Sequence, residues 1–250
     1  MDAVKVTGMV LSAMPVGDYD KRLVILTKER GKVTAFAKGA KRTKSRFLAG
    51  SRPFSFGQFM LYPTRNAYNV EDMKISYYFD ELSQDADNTY YGFYFLELAD
   101  YFTVEGIDET ETLKLLYQSL RALTKEQIPN ELVRTIYELR ILVIHGEYPD
   151  FFGCSNCGTK DKLTVFSLRK EAVYCRECEN LVQDKFYFQA SVLYTLQYIV
   201  SSSIEKLYTF TLTETVLKDV SYIVGKYRQK KIERKIKSLE ILETIILAET

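Results

Sequence analysis

The stretch LVILTKERGKVTAFAK, residues 23–38, decides the fold of the first part of the chain. Residues 23–27 are mostly apolar, a polar connection containing Gly31 follows, and β-prone residues return over 33–38. Two β-prone runs separated by a short connection with glycine are typical of a β-hairpin. The stretch therefore predicts two antiparallel strands joined by a turn.

The sequence on both sides of this hairpin is also β-like. Residues 4–10 alternate toward a strand, and 54–62 and 68–78 offer further strands. About five short strands within about eighty residues predict a small barrel. Residues 39–50 are rich in Lys, Arg, Ser and Thr without apolar periodicity, so we expect a mobile basic loop between strands.

Past the barrel the pattern becomes helical. Residues 85–104 carry aliphatic and aromatic side chains all round, which indicates a largely buried helix. A capping box, Thr211 with Glu214, begins a later helix. The chain is therefore predicted to be α+β and multidomain, with a barrel over 1–80 and a helical domain over 81–250. Further helices are expected over 113–123, 129–146, 190–200, 211–227 and 239–246.

Four cysteines, the only four in the chain, form two Cys-x-x-Cys pairs with seventeen residues between the pairs. This spacing is typical of a zinc ribbon. Four thiolates suit tetrahedral Zn²⁺ and leave no open coordination position, so we expect a structural role. The ribbon is predicted as an insertion at about 150–185 of the helical domain. The predicted ligands are Cys154, Cys157, Cys175 and Cys178.

Three other uses of the cysteines compete with a zinc ribbon. A thioredoxin-like redox pair would leave the second Cys-x-x-Cys unexplained. Disulfides need an oxidising compartment, for which the chain shows no route. A zinc-deaminase motif is imitated by residues 145–147 and the cysteines after them. That match fails because Gly153, not proline, precedes Cys154 and only six residues separate Glu147 from it. His145, the only histidine, fits the C-terminal end of a helix.

The net charge of +1 conceals a strong segregation of charge. Residues 28–52 hold nine Lys or Arg against Glu29, and 226–237 hold seven against Glu233. Residues 80–111 hold ten acidic residues and no basic one. Such segregation predicts a basic face that meets a polyanion. For the second basic run, a phosphate contact and a solvated helix face stay equally open.

The densest part of the first basic run predicts a nucleic-acid site. Cations that neutralise phosphates release condensed counterions, which gives affinity without sequence preference. The candidate DNA-binding residues are Lys38, Lys41, Arg42, Lys44 and Arg46. Aromatic residues interleave with them and either stack on unpaired bases or, as we expect for most, fill the barrel core. These are Phe36, Phe47, Phe54, Phe56, Phe59 and Tyr62.

Composition and missing motifs narrow the remaining classes. The chain is 46% apolar and 27% charged, which is ordinary for a soluble protein. It shows no long apolar run and no secretory signal at its start, so we expect a reducing cytoplasm. A Walker loop, a Rossmann fingerprint and a catalytic triad are all missing, so no enzyme is predicted.

Three short motifs give the chain a wider resemblance. They are GDYDK at 17–21, TKERGK at 27–32 and AKGAKR at 37–42. Followed by helices and a four-cysteine ribbon, these motifs resemble the RecO family of bacterial recombination mediators over essentially the whole chain.

The resemblance implies an OB-fold over 1–80, followed by a helical domain with a docked zinc ribbon. It implies binding to single- and double-stranded DNA and annealing of complementary strands. It also implies loading of the recombinase RecA onto strands coated by single-stranded DNA-binding protein, with RecR as partner, in the bacterial cytoplasm at the nucleoid. By position, Lys38, Lys41 and Arg42 match the basic segment of the family's OB-fold.

Two functions of other classes stay open at this point. One is a protein-binding zinc-ribbon adaptor without intrinsic DNA affinity, whose working surface would be the acidic block at 80–111. The other is a zinc hydrolase or deaminase, against which the closed set of four cysteines speaks.

Overall fold

The computed structural model describes residues 2–249, with the side chains of 247–249 left aside. Within this range, five strands close into a barrel, six α-helices follow, and a three-stranded sheet lies between the third and fourth helices in the chain. The predicted fold class, an α+β chain with an N-terminal OB-like barrel before a helical domain, is confirmed. None of the helices in the described range is long and apolar enough to span a membrane.

The barrel closes by an arrangement that joins strands distant in the sequence. Its strand order is β1-β2-β3-β5-β4, with β4 pairing back onto β1. The predicted hairpin is the β2–β3 pair, and β3 meets β5 in parallel with Ala35 opposite Tyr68. This is the five-stranded arrangement of an OB-fold. The strands are β1 (Val4–Val16), β2 (Asp20–Thr27), β3 (Gly31–Ala37), β4 (Phe56–Pro63) and β5 (Tyr68–Tyr77).

Alternate residues of each strand point inward and fill the barrel, as the pleat of a strand requires. Phe59 is completely buried at the centre. Gly57 lies opposite Gly8, where β1 and β4 close the barrel, and a Cβ at Gly57 would lie 2.2 Å from the carbonyl oxygen of Lys74. Glycine therefore permits the close approach of the strands here. The buried residues of β2 and β3 include Leu23, Ile25, Val33, Ala35 and Ala37.

Residues 38–52, which we name the basic turn, differ from the predicted mobile loop. They form consecutive hydrogen-bonded turns, one of which is closed by the Ser51 N–H donating to the Phe47 carbonyl at 3.0 Å. Ala40 and Phe47 join the buried core of the barrel. These two buried apolar residues are separated by polar ones at no regular interval. The segment is therefore packed although its sequence shows no apolar periodicity.

The predicted helices are all present, with one error at a helix start. The fifth helix begins at Glu214 and has Thr213 at its N-cap, so the capping box predicted at Thr211 is wrong. The helices are α1 (Ala86–Phe102), α2 (Thr110–Leu123), α3 (Asn130–Ile144), α4 (Ala190–Ser201), α5 (Glu214–Lys231) and α6 (Lys237–Glu249). Short 3-10 turns lie at Asp80–Gln84, Glu179–Leu181 and Ile204–Lys206.

The chain forms two compact units, and the last helix belongs to the first of them. That unit contains the residues up to Thr124 and those from Ile236 onward. In it, the Glu97 carboxylate on α1 accepts hydrogen bonds from the backbone N–H groups of Lys237 and Ser238, at 3.1 and 2.8 Å. A carboxylate in this position satisfies free donors at the start of α6. The predicted functional division at residue 80 stays a prediction.

The second unit, Lys125–Lys235, combines α3, α4 and α5 with the small sheet. The sheet has the order β7-β6-β8, with strands β6 (Leu163–Ser167), β7 (Ala172–Cys175) and β8 (Phe186–Tyr187). Glu138 on α3 is buried and pairs with Arg134 at 2.8 Å and with Arg228 on α5 at 3.3 Å. The pair with Arg228 links α5 to α3, whereas the pair with Arg134 lies within α3.

Candidate metal centre and nucleic-acid surface

The four cysteines come together beside the small sheet. Their Sγ atoms all lie within 4.8 Å of one another, and those of Cys157 and Cys175 are 3.8 Å apart. All four are free thiols, so the disulfide alternative is wrong. Sulfurs bound at about 2.3 Å to one tetrahedral metal ion lie about 3.8 Å from one another. The cluster therefore has the dimensions of a tetrahedral site that could hold a metal ion.

Local backbone hydrogen bonds build the two knuckles that carry these sulfurs. In the first, the Cys154 N–H donates to the Thr159 carbonyl and the Gly158 N–H donates to the Cys154 carbonyl, both at 2.8 Å. Gly158 has φ +73°, a conformation that glycine adopts without strain. In the second, the Cys178 N–H donates to the Cys175 carbonyl at 3.0 Å. The hairpin of β6 and β7 returns the second knuckle to the first, as the spacing predicts.

The electrostatics of the cluster favour a cation among the sulfurs. Burial opposes ionisation of Cys154, yet hydrogen bonds from nearby backbone N–H groups lower its pKa to about 6. The Asn156 amide donates to Cys178 Sγ at 3.3 Å and favours that thiolate, but burial and the three other sulfurs raise the pKa of Cys178 to about 12. Several thiolates side by side therefore need a positive ion between them.

His145 takes no part in this cluster. It lies at the C-terminal end of α3, as expected, and its backbone N–H donates to the Ile141 carbonyl at 3.2 Å. Burial lowers the pKa of its imidazole. Among the described residues, the group of side chains that could hold a metal consists of the four cysteines, so the histidine-and-cysteine set of a deaminase is not formed.

The five predicted DNA-binding side chains share the surface of the basic turn, and all five are exposed. Within residues 2–249, Lys38 and Lys44 have no side-chain hydrogen bond, ion pair or ring contact. The Arg42 guanidinium lies 4.7 Å from the centre of the Tyr19 ring. Arg46 makes a long 3.7 Å ion pair with Asp72, and both of these side chains are largely exposed. Most of the positive charge is therefore available to an external anion.

Residues of the 17–21 motif hold the basic turn in place. The Asp20 carboxylate accepts a hydrogen bond from the Gly39 N–H at 2.7 Å. The Tyr19 carbonyl accepts one from the Lys41 N–H at 2.8 Å. Two of the three motifs that carry the family resemblance thus meet at one place on the barrel.

The interleaved aromatic residues divide between core and surface. Phe47 and Phe59 are buried, as predicted for core residues, whereas Tyr62 is 41% exposed. Phe36, Phe54 and Phe56 are partly buried. Tyr19 is 54% exposed beside Arg42, and no periodic pattern pointed to it because it lies in the turn after β1.

The second basic run, 226–237, which we name the basic helix end, is partly neutralised by a carboxylate of the ribbon. The two predicted alternatives, a phosphate contact and a solvated helix face, stay predictions. Lys230 and Lys231 pair with the Glu171 carboxylate at 2.8 and 2.7 Å. Burial opposes ionisation of Glu171, but hydrogen bonds from Lys230, Lys231 and Tyr227 lower its pKa to about 2. The sequence could not reveal this cluster, because Glu171 lies in the β6–β7 turn, far from α5 along the chain.

Two family models match the chain, one for each part. The model of the recombination protein O N terminal matches residues 1–79, and that of the recombination protein O C terminal matches residues 83–240. Together with the structure, these matches define a class of protein. It has an OB-like barrel with an exposed basic turn, followed by a helical part that carries a cysteine cluster.

Relatives named DNA repair protein RecO resemble the chain over nearly its full length. The relative from Alkaliphilus metalliredigens is 31% identical over 246 residues, covering 97% of this chain and 99% of its own length. Those from Clostridium perfringens and Acetivibrio thermocellus are 29% and 26% identical and cover 98% of this chain and 99% and 98% of their own lengths. The chain belongs to the RecO family of DNA repair proteins, as its motifs predicted.

Proposed function

We propose that the protein is a non-catalytic recombination mediator that binds single- and double-stranded DNA through the basic turn. The observation that carries this proposal is the set of five exposed cations on a segment anchored in the barrel core. Ala40 and Phe47 fix the backbone, so the cations are presented without a large ordering cost on binding. Neutralised phosphates release counterions, which supplies affinity for any sequence.

Annealing follows from the same charge. A basic surface that holds the backbone of one strand reduces the repulsion of a second strand, so that complementary strands meet and pair. Contacts with single-stranded DNA-binding protein and with RecR would raise the local concentration of the mediator on coated DNA, where RecA is to be loaded. Membership of the RecO family supports these partners and a place at the nucleoid in the bacterial cytoplasm.

We further propose that the metal is Zn²⁺ and that its role is structural. Four sulfurs at tetrahedral spacing favour Zn²⁺ and fill every coordination position. Cys154, Cys157, Cys175 and Cys178 would hold the ion and thereby close the two knuckles of the ribbon. A closed thiolate site has no place for a water nucleophile, which agrees with a protein that catalyses no reaction.

The test is the binding of a fluorescent oligothymidylate to the full-length protein, followed by anisotropy across a salt series. We expect log K to fall with log salt at a slope between about −2 and −3.5, which corresponds to three to five phosphate contacts. The variant K38E/K41E/R42E/K44E should lose at least about 100-fold in affinity and also lose strand annealing, measured by energy transfer between labelled complementary strands.

A matched control reverses four exposed lysines of the second unit, K125E/K160E/K206E/K218E. These residues carry the same change in net charge away from the basic turn, so we expect a small effect on affinity. Equal losses in both variants would mean that total charge, not the basic turn, binds DNA. The absence of binding at low salt would favour the protein-binding adaptor.

A further inference from the structure

A cleft in the second unit lies between the small sheet and α5, and neither the metal centre nor the barrel uses it. Its volume is about 500 Å³. Phe186 of β8 and Tyr222 of α5 form a stacked pair across it, with ring centres 5.1 Å apart and planes 22° from parallel. Tyr222 is 51% exposed, so part of its ring is open to solvent beside its packing partner.

The charge around this cleft is predominantly positive. Arg169, Lys185 and Lys226 line it together with one acid, Asp184. The Asp184 carboxylate is already engaged, since it accepts hydrogen bonds from the Ser167 hydroxyl and the Arg169 backbone N–H, each at 2.7 Å. Burial opposes its ionisation, but these bonds lower its pKa, so it remains charged and the cleft keeps a net positive charge.

None of the three cations makes an ion pair with a carboxylate in the described part of the chain. Within residues 2–249, neither Arg169 nor Lys226 forms such a pair, and the Lys226 ammonium instead lies 5.7 Å from the centre of the Tyr222 ring. Lys185 hydrogen-bonds the Asn180 amide oxygen at 2.9 Å. The cleft differs in this respect from the neighbouring lysines 230 and 231, which form ion pairs with Glu171 and Glu147.

We propose that this cleft is a second single-strand DNA site, in which a base stacks on Tyr222 and the adjacent phosphates meet Arg169 and Lys226. The inference rests on the proposed DNA binding of the protein and extends it to a surface outside the barrel. Exposed aromatic rings flanked by cations bind unpaired strands, because every base can stack on a ring and every phosphate linkage carries a negative charge that a cation can pair with. A duplex offers the charge but not the base face.

The chain contains no tryptophan, which provides a local reporter. In the full-length variant Y222W the new indole would be the only one in the protein, and we expect oligothymidylate to quench its fluorescence in a saturable way. Adding R169E and K226E should abolish the quenching. The control Y194W places an indole on α4, at a position 68% exposed and outside the cleft, and should show no quenching.

Affinity measurements separate this site from the basic turn. In the K38E/K41E/R42E/K44E background we expect residual binding, and Y222A should weaken it about 5- to 150-fold, as the loss of one stacked base predicts. K206E, which changes a charge outside the cleft, is the control and should leave this residual binding unchanged. If DNA binds, as shown by anisotropy, without quenching in Y222W, the cleft proposal is wrong while the basic turn stands.

Three further outcomes would distinguish the cleft proposal from its alternatives. Quenching of Y222W by an acidic peptide but not by oligothymidylate would overturn the proposal in favour of a protein ligand. Complete absence of DNA binding by the unaltered protein would overturn both proposals. Quenching of Y222W that persists in the K38E/K41E/R42E/K44E background would support a DNA site in the cleft that does not depend on the basic turn.

Discussion

The basic turn and the basic helix end carry similar charge but differ in their counter-ions. Both are short, lysine- and arginine-rich runs; the basic turn contains no acidic residue and the basic helix end contains Glu233 alone. In the basic turn, Lys38 and Lys44 project from the surface without a partner in the described part of the chain. In the basic helix end, Lys230 and Lys231 are neutralised by Glu171 and Glu147 together. Counter-ion placement, not charge density, therefore distinguishes the proposed binding surface from a run that stabilises the second unit internally.

The difference arises from what each run packs against. The basic turn is anchored by apolar residues and by backbone hydrogen bonds, not by its cations. Its ion pairs, made by Arg46 and Arg52, are long and largely exposed. The basic helix end packs on the ribbon and on α3, which supply Glu171 and Glu138 as counter-ions. Lys226, at the start of this run, makes no ion pair within residues 2–249 and faces the cleft.

The largest expected effect comes from disrupting the proposed metal site, which should separate Glu171 from the basic helix end. The cysteine knuckles close one end of the β6–β7 hairpin, and Glu171 lies in the turn at its other end. A loosened ribbon should therefore release Lys230 and Lys231. Binding of Zn²⁺ to small fingers is worth about 10–16 kcal/mol and is coupled to folding. We expect C175S, or treatment with a strong chelator, to abolish hydrogen-exchange protection in β6 and β7. Protection in the barrel strands should be unchanged. If β6 and β7 were as well protected in C175S as in the unaltered protein, the ribbon would need no metal.

A smaller effect is expected from the buried ion pair of the basic helix end. Glu138 is 3% exposed at its side chain and pairs with Arg228, which is 10% exposed. Replacing Glu138 by Ala leaves Arg228 without that partner inside the protein, a change that costs about 3–5 kcal/mol. Urea unfolding monitored by circular dichroism should show this loss with DNA affinity retained.

E147A is the matched control for that substitution. Glu147 also pairs with a lysine of the basic helix end, Lys231 at 3.1 Å, but its side chain is 51% exposed. Exposed pairs contribute about 0–1 kcal/mol. A loss in E147A as large as that in E138A would mean that burial does not set the strength of these ion pairs.

The smallest stability effect concerns pH. The pKa of Glu171 is about 2 in the folded protein, below the ordinary value of 4.5. The group therefore stabilises the fold fully above its ordinary pKa, and this contribution is lost as the pH falls toward 2. We expect E171Q to flatten the fall in stability between about pH 5 and pH 2, by less than about 1 kcal/mol because the pair is partly exposed. E177Q, at an exposed ribbon position, should retain the full dependence; an identical curve for E171Q would argue against the ion cluster.

The sequence predicted those features that depend on residues close together in the chain. Strand and helix positions followed from periodicity, and the cysteine cluster followed from spacing, since each knuckle is a local structure. Contacts between distant segments were not predictable. Glu97 was counted only as part of an acidic block, yet it caps α6, 140 residues later. Isolated anchors such as Ala40 and Phe47 likewise showed no periodic signal, although they turn a supposed mobile loop into a packed turn.

The role of counter-ion placement is tested most sharply by two variants with the same change in charge. K38Q/K44Q removes two unpartnered lysines of the basic turn, and K230Q/K231Q removes two paired lysines of the basic helix end. Single-strand DNA affinity is to be measured across a salt series for both, after circular dichroism has confirmed that each is folded. We expect K38Q/K44Q to make the slope of log K against log salt less steep by about 1.4, two phosphate contacts at about 0.7 each, and K230Q/K231Q to leave it unchanged. An unchanged slope in K38Q/K44Q together with a reduced one in K230Q/K231Q would contradict the proposed role of the basic turn.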